Sequence, residues 1–112
     1  MRQKEKPPIT EAEFMRQVLE LAALRGWRCW HQRPARTSKG WRSAVQGKGA
    51  NGFPDVVAVR SGVILFIETK TETGRLTPDQ KAWAEALSIP SQLVWHYVWR
   101  PSQWKEIERI LF

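Results

Sequence analysis

Two short apolar runs separated by a three-residue break constrain this chain more than anything else in it. Val56-Val-Ala-Val59 and Val63-Ile-Leu-Phe-Ile67 each have the length of a buried strand and are rich in β-branched residues. Arg60-Ser-Gly62 between them reads as a tight turn, so the runs pair as an antiparallel hairpin. In such a hairpin the residue entering the first strand lies beside the residue leaving the second. Those residues are Asp55 and Glu68. Side chains two apart on a strand share a face, so Lys70 points the same way as Glu68. The hairpin thus gathers two carboxylates and an amine at one end of a sheet.

That set suits phosphodiester hydrolysis, which needs an activated water and neutralisation of charge at the phosphate. Two carboxylates suit a hard cation such as Mg2+, which lowers the pKa of water and stabilises a developing oxyanion. A lysine beside them can orient the water and offset negative charge. A lone Pro-Asp would be a turn, and a lone Glu-x-Lys a strand-edge ion pair. The hairpin, by placing both together, favours the chemical reading. Gly52 and Pro54 shape the backbone that enters the first strand.

Ahead of the hairpin, Ile9-Thr10-Glu11-Ala12-Glu13-Phe14 opens a helix. Thr10 is the expected N-cap, Glu13 its capping-box partner, and Ile9 with Phe14 a hydrophobic staple. Phe14, Val18, Leu21 and Ala22 form one apolar face, and Gly26 ends the helix. At about 100° per residue Glu11 lies on the Phe14/Val18/Ala22 face, whereas Glu13 and Glu20 point away. Glu11 is therefore the acid aimed inward; its other reading is a first-turn acid complementing the helix dipole.

Trp27 to Arg33 alternates like a strand, with His31 and Arg33 at its far end. Residues 34 to 51 contain Arg36, Lys39, Arg42, Lys48 and three glycines. They read as one long basic loop, either solvated or in contact with phosphate. After the hairpin, Thr77-Pro-Asp-Gln80 starts a second helix, with Thr77 as N-cap, Pro78 at the first position and Gln80 at the third. Gln80 also falls on the apolar side with Trp83, Ala84 and Leu87. It either only closes the capping box or, on the family resemblance given below, supports the metal-site water or the active-site lysine, and one side chain does both only in part. Gln92–Trp99 is a further strand, and Pro101-Ser102 opens a last helix. A strand–helix–strand passage makes Val63–Lys70 and Leu93–Trp99 parallel. The expectation is an α/β chain with a mixed four-stranded sheet and helices on both faces.

Pro54-Asp55 followed by Glu68-Thr69-Lys70 resembles the PD-(D/E)XK nuclease motif. With the early helical glutamate, Gly52-Phe-Pro-Asp55 and Gly74-Arg-Leu-Thr-Pro-Asp-Gln80, the string is similar to the virus-type replication-repair nuclease (VRR-NUC) branch. The likeness runs from about residue 10 to residue 104. It implies a restriction-endonuclease-like fold, α-β-β-β-α-β, to which this chain adds a C-terminal helix. It also implies Mg2+, replaceable by Mn2+, and cleavage of structured DNA such as junctions or flaps. On this resemblance Asp55, Glu68, the Thr69 backbone carbonyl and Glu11 (directly or through water) hold the metal. Lys70 positions the attacking water and Gln80 supports the site. Two readings stay open beside it: a nucleic-acid-binding module that keeps the fold without catalysis, and a restriction-type nuclease.

The chain has 112 residues, enough for one domain, here 9–112 behind a loose tail over 1–8. Eighteen Lys and Arg against eleven acids give +7 and a pI near 10.2, which points to a polyanion partner. His31, Arg33, Lys39, Arg42, Lys48 and Arg75 are the candidate DNA contacts. Cys29 is the single cysteine, so there is no disulfide framework and no cysteine zinc site. A reducing, cytoplasmic compartment fits. No apolar run approaches the roughly 20 residues of a membrane span. One site per chain and two strands to cut favour a homodimer. Trp95 to Phe112, with Trp99 and Trp104, is the candidate surface.

Overall fold

The computed structural model of the protein describes residues 8–32 and 49–112, and the backbone of 34–37 and 40–43. Helix α1 spans Glu11–Leu24, with Thr10 extended at its N-cap and its hydroxyl accepting from Glu13 N at 3.1 Å. Only this half of the expected capping box forms. Phe14, Val18 and Ala22 are buried, and Ile9 packs against the same core. At the C-terminus Gly26 takes φ +84°, and the Trp27 N–H returns to the Ala22 carbonyl at 3.0 Å. Glycine adopts this left-handed conformation without the strain a β-carbon would bring.

The main sheet has the order β1-β4-β5-β6, built from β1 (Arg28–His31), β4 (Val56–Arg60), β5 (Val63–Thr69) and β6 (Val94–Trp99). β1, β4 and β5 are antiparallel neighbours, and β5 pairs with β6 in parallel through helix α2 (Pro78–Leu87). The sheet is therefore mixed and four-stranded, as expected. Ser61 and Gly62 both have positive φ, +50° and +79°, which is the geometry of a two-residue type I′ hairpin turn.

Between β1 and β4 the sequence reading is corrected. What was expected to be one long loop contains an antiparallel pair, β2 (Pro34–Thr37) and β3 (Gly40–Ser43), with Thr37 opposite Gly40. This pair forms a separate sheet. Neither segment shows apolar alternation, so periodicity gave no sign of strand. Arg33, Lys39 and Lys48 lie outside the described residues, as do residues 1–7; of Arg42 only the backbone in β3 is described.

Alternate side chains sort the hairpin onto two faces. Val56, Ala58, Leu65 and Ile67 are buried on the face covered by α1 and by α3 (Trp104–Leu111), which contributes Ile107 and Leu111. Phe66 on the opposite face meets Phe53 and, through it, Trp83 of α2. Both faces are thus apolar, as in a sheet sandwiched between helices. Trp99, 2% exposed, belongs to the core, and Trp104 packs against it with an edge-to-face contact to Phe14 at 6.5 Å. The expectation of an interface surface is therefore corrected at Trp99, while Trp104 is partly buried. Trp95 (43% exposed) and Phe112 (77%) remain at the surface. Among the described residues no helix is long and apolar enough to cross a membrane.

Candidate active site

The hairpin register places Val56 opposite Ile67 and Val57 opposite Phe66; one step further brings Asp55 opposite Glu68. Asp55 Oδ2 accepts from both the backbone N–H and the hydroxyl of Thr69, at 3.0 and 3.1 Å. Glu68 Oε1 accepts from Gln80 Nε2 at 3.0 Å. Each carboxyl group is thus anchored by one oxygen, and the two groups lie close enough for Asp55 to raise the Glu68 carboxyl. The Thr69 hydroxyl is a positioning contact that the Glu-x-Lys motif does not reveal, because the middle residue of such a motif is free in type.

Gln80 resolves an alternative the sequence leaves open. Its carbonyl accepts from Thr77 N–H at 2.9 Å, and Gln80 N donates to the Thr77 hydroxyl at 3.1 Å, so the capping box is complete. The same side chain donates from its amide nitrogen to Glu68. The two ends of an amide differ in kind. An oxygen that caps the helix turns the NH2 toward the Glu68 carboxyl, so Gln80 closes the capping box and contacts Glu68 at the same time.

Gly52 locks the parts together. It has φ +81°, and a β-carbon there would stand 2.5 Å from the Asp79 carbonyl carbon and 2.6 Å from Gln80 N. The backbone leading to Asp55 therefore lies directly against the first turn of α2. Gln32 holds the same segment from the other side. Its Nε2 donates to the Phe53 carbonyl at 2.9 Å, and its backbone N–H donates to the Asp55 carbonyl at 3.1 Å. Nothing in the sequence around Gln32 marks it, since its partners are carbonyls some twenty residues away.

Electrostatics set this corner apart. Glu68 is 2% exposed and Lys70 is 8% exposed. Burial, and next the adjacent Asp55, push the Glu68 carboxyl up to about 9, with Lys70 opposing the shift. Lys70 nonetheless makes no ion pair within 4 Å; the ion pairs among the described residues are Arg16–Glu20 and Glu106–Arg109, both on the surface. This disposes of the reading of Glu68 and Lys70 as a simple strand-edge pair. Glu11 is exposed as a residue, but its carboxyl is partly shielded and is raised by that burial. It interacts with Lys70, which lowers it, and with Asp55, which raises it. The α1 face reading thus directs Glu11 to the Asp55–Lys70 corner. Glu13 instead supplies the N–H that Thr10 caps.

His31 is exposed and pairs in register with Val56, beside the site, with its Nδ1 3.3 Å from the Gln32 carbonyl. Arg75 is exposed on the segment leaving Lys70. No third His, Cys, Asp or Glu completes a metal cage with the two carboxylates among the described residues. A cation here would draw its remaining ligands from water and substrate phosphate, which is the habit of Mg2+. The donors present, two anchored carboxyl groups of which Glu68 is buried, fit such an ion, since a cation would offset the negative charge that burial and the adjacent Asp55 make costly at Glu68.

A mixed four-stranded sheet between helices, with Asp55, Glu68 and Lys70 at one end of a central hairpin, is the architecture of a restriction-endonuclease-like α/β protein. The VRR-NUC domain family matches residues 11–89, about seven-tenths of the chain, and the chain belongs to that family. It is accordingly a nuclease-type hydrolase, with nucleic acid as substrate. Among curated proteins no match to the chain is found.

Proposed function

We propose that the protein is a metal-dependent endonuclease that hydrolyses phosphodiester bonds in DNA, with structured or branched DNA as its substrate. The observation that carries this reading is the buried Glu68 carboxyl with the half-buried Asp55 next to it, beside a buried Lys70 that makes no ion pair among the described residues. A binding module has no use for two crowded carboxyls of which one is buried, since they cost stability in the absence of a counter-charge. Asp55 and Glu68 hold Mg2+, or Mn2+ in its place, with the Thr69 carbonyl contributing and Glu11 acting from the rim directly or through water. When bound, the ion supplies Lewis acidity and charge stabilisation at the scissile phosphate.

The chain's own residues do the rest. Thr69 fixes Asp55 and Gln80 fixes Glu68, so neither carboxyl needs to reorganise as charge develops. Lys70, held in a largely buried position, orients the attacking water and offsets charge on the phosphate. His31, Arg33, Lys39, Arg42, Lys48 and Arg75 contact the backbone of the substrate. One chain carries one site, so paired cuts in a branched substrate require two chains; exposed Trp95 and Phe112 are what remains of the candidate dimer surface.

The test is incubation with labelled duplex, flap and four-way-junction DNA in Mg2+ or EDTA. Asp55→Ala, Glu68→Ala and Lys70→Ala should each lower cleavage by orders of magnitude, as members of one cooperative site. Full activity in Asp55→Ala, or DNA binding without cleavage by the wild type, would remove the catalytic reading. Light scattering at micromolar concentration tests the dimer: a monomeric mass with the two cuts independent in time would exclude it.

A further inference from the structure

The segment between Lys70 and α2 is held in a fixed shape by a cation that makes no ion pair among the described residues. Arg100 Nη1 donates to the carbonyls of Thr71, Gly74 and Glu72, at 2.5, 2.7 and 3.3 Å. The Gly74 N–H donates to the Thr71 hydroxyl at 3.0 Å. The Glu72 carboxylate accepts from Ser102 N–H and is thereby occupied. Around this loop lies an open hollow of about 390 Å³, lined by Glu72, Gly74, Arg75, Lys81 and Arg100 among others. None of its three cations takes part in the surface ion pairs of the described residues.

The hollow adjoins the candidate site on two sides. A β-carbon on Gly74 would lie 3.5 Å from Lys70 Cδ, so the loop rests on the stem of that lysine. Lys81 follows Gln80, whose amide reaches Glu68. Three cations, one engaged acid and direct contact with Lys70 describe a place for an anion beside the reacting phosphate. On one strand phosphates recur with every roughly 3.4 Å of helix rise, so a strand cut beside Lys70 carries further phosphates on either side of the scissile one.

Resting on the nuclease reading above, we propose that this hollow is a phosphate subsite, in which Arg75 and Lys81 bind a backbone phosphate next to the scissile one while Arg100 holds the loop that presents them. It fixes which stretch of the strand lies across Lys70. Sequence reading reached Arg75 but not Lys81 or Arg100, because the three meet only through the fold.

The experiment compares wild type, Arg75→Ala/Lys81→Ala and the control Arg16→Ala/Lys105→Ala, which removes the same charge from α1 and α3. Cleavage kinetics and direct binding of a fluorescent oligonucleotide are read at several salt concentrations, and melting verifies folding. For the subsite pair, KM and the dissociation constant should rise about tenfold, and the salt slope should fall by roughly 0.7 to 0.9, the value for one phosphate. The control should stay near wild type. A series of substrates carrying one neutral methylphosphonate near the cut should reveal a single position that weakens wild-type binding but not the subsite pair. Equal slopes and equal methylphosphonate profiles in an active enzyme would overturn the subsite and leave the nuclease reading standing. A wild type that cleaves nothing would overturn the nuclease reading; the binding arm would then still decide whether the hollow takes phosphate. Loss of kcat with KM unmoved would also reject it, assigning the loop a purely structural part.

Discussion

Replacing Gly52 with alanine tests how the site is held, because the structure separates its two costs. One is backbone strain: at φ +81° a β-carbon costs about 1–2 kcal/mol. The other is a collision. The new β-carbon would stand 2.5 Å from Asp79 backbone, and ordinary contact begins at 3.4 Å, so the 52–55 segment and α2 must part by the difference, 0.9 Å. If that displacement falls on the Gln80–Glu68 bond, its 3.0 Å becomes 3.9 Å and the bond is lost. A hydrogen bond to a charged group contributes about 1.5–3 kcal/mol, which corresponds to roughly ten- to a hundredfold in rate if it acts in the transition state.

Gly26→Ala is the matched control. Its φ is +84°, but the nearest atom to a β-carbon there is the Arg60 Cδ at 3.9 Å, an ordinary contact. It carries the strain and not the collision, and it lies at the far end of α1. Single-turnover cleavage should be measured well below the melting temperature of all three proteins. Gly26→Ala should melt lower by about 4 °C per kcal/mol and cleave like the wild type. Gly52→Ala should melt lower still and cleave ten- to a hundredfold more slowly. Equal rates in the two alanine variants would refute the claim that Gly52 positions Gln80 and Glu68.

Three further outcomes follow from the same corner. In EDTA, a folded Glu68 that holds its proton up to about 9 against an unfolded value near 4.5 means that unfolding releases that proton between the two. Stability should therefore fall as pH rises through that window, and either Mg2+ or Glu68→Gln should flatten the slope; a melting temperature independent of pH in EDTA would contradict it. Gln80→Glu should replace a donor to Glu68 with a third acid, lowering cleavage about tenfold or more and raising the Mg2+ concentration needed for half-maximal rate, both read from metal titrations. Glu11→Gln should slow cleavage at least tenfold more than Glu13→Gln, because only Glu11 interacts with Asp55 and Lys70; the reverse order in a rate comparison would mean that the wrong face of α1 has been assigned.

The parts of this architecture that were legible in the sequence are those set by local rules. The Asp55–Glu68 juxtaposition follows from two apolar runs and a turn, and the α2 start from Thr77, Pro78 and Gln80. The face of α1 carrying Glu11 follows from helical spacing alone. What escaped was set by distance in the chain or by residue types that carry no signal. Gln32 and Arg100 act by donating to backbone carbonyls, which every residue owns. β2 and β3 lack apolar alternation. Trp99 packs in the core and Trp104 is partly buried against it, a difference the sequence does not carry because an aromatic residue suits a core and an interface equally well. The contact of Gln80 with Glu68 is not legible in sequence, because it depends on the amide oxygen and nitrogen taking different partners.

The type I′ turn at Ser61-Gly62 has a meaning for insertions and deletions. Hairpin register is commonly enforced by burying one face and wetting the other, so that a slip of one residue exposes the core. Here β4 and β5 are apolar on both faces, with Val56, Ala58, Leu65 and Ile67 against one helical layer and Phe66 against the other. A slipped pairing would still bury apolar side chains, so hydrophobicity is a poor guard of alignment. The length of the turn is the gauge instead, set at the opposite end of the hairpin from the carboxylates. One residue added beside Gly62 would slide Asp55 past Glu68 while leaving much of the core filled. In this fold the length of the Ser61-Gly62 turn helps to set the alignment of Asp55 with Glu68 at the far end of the hairpin.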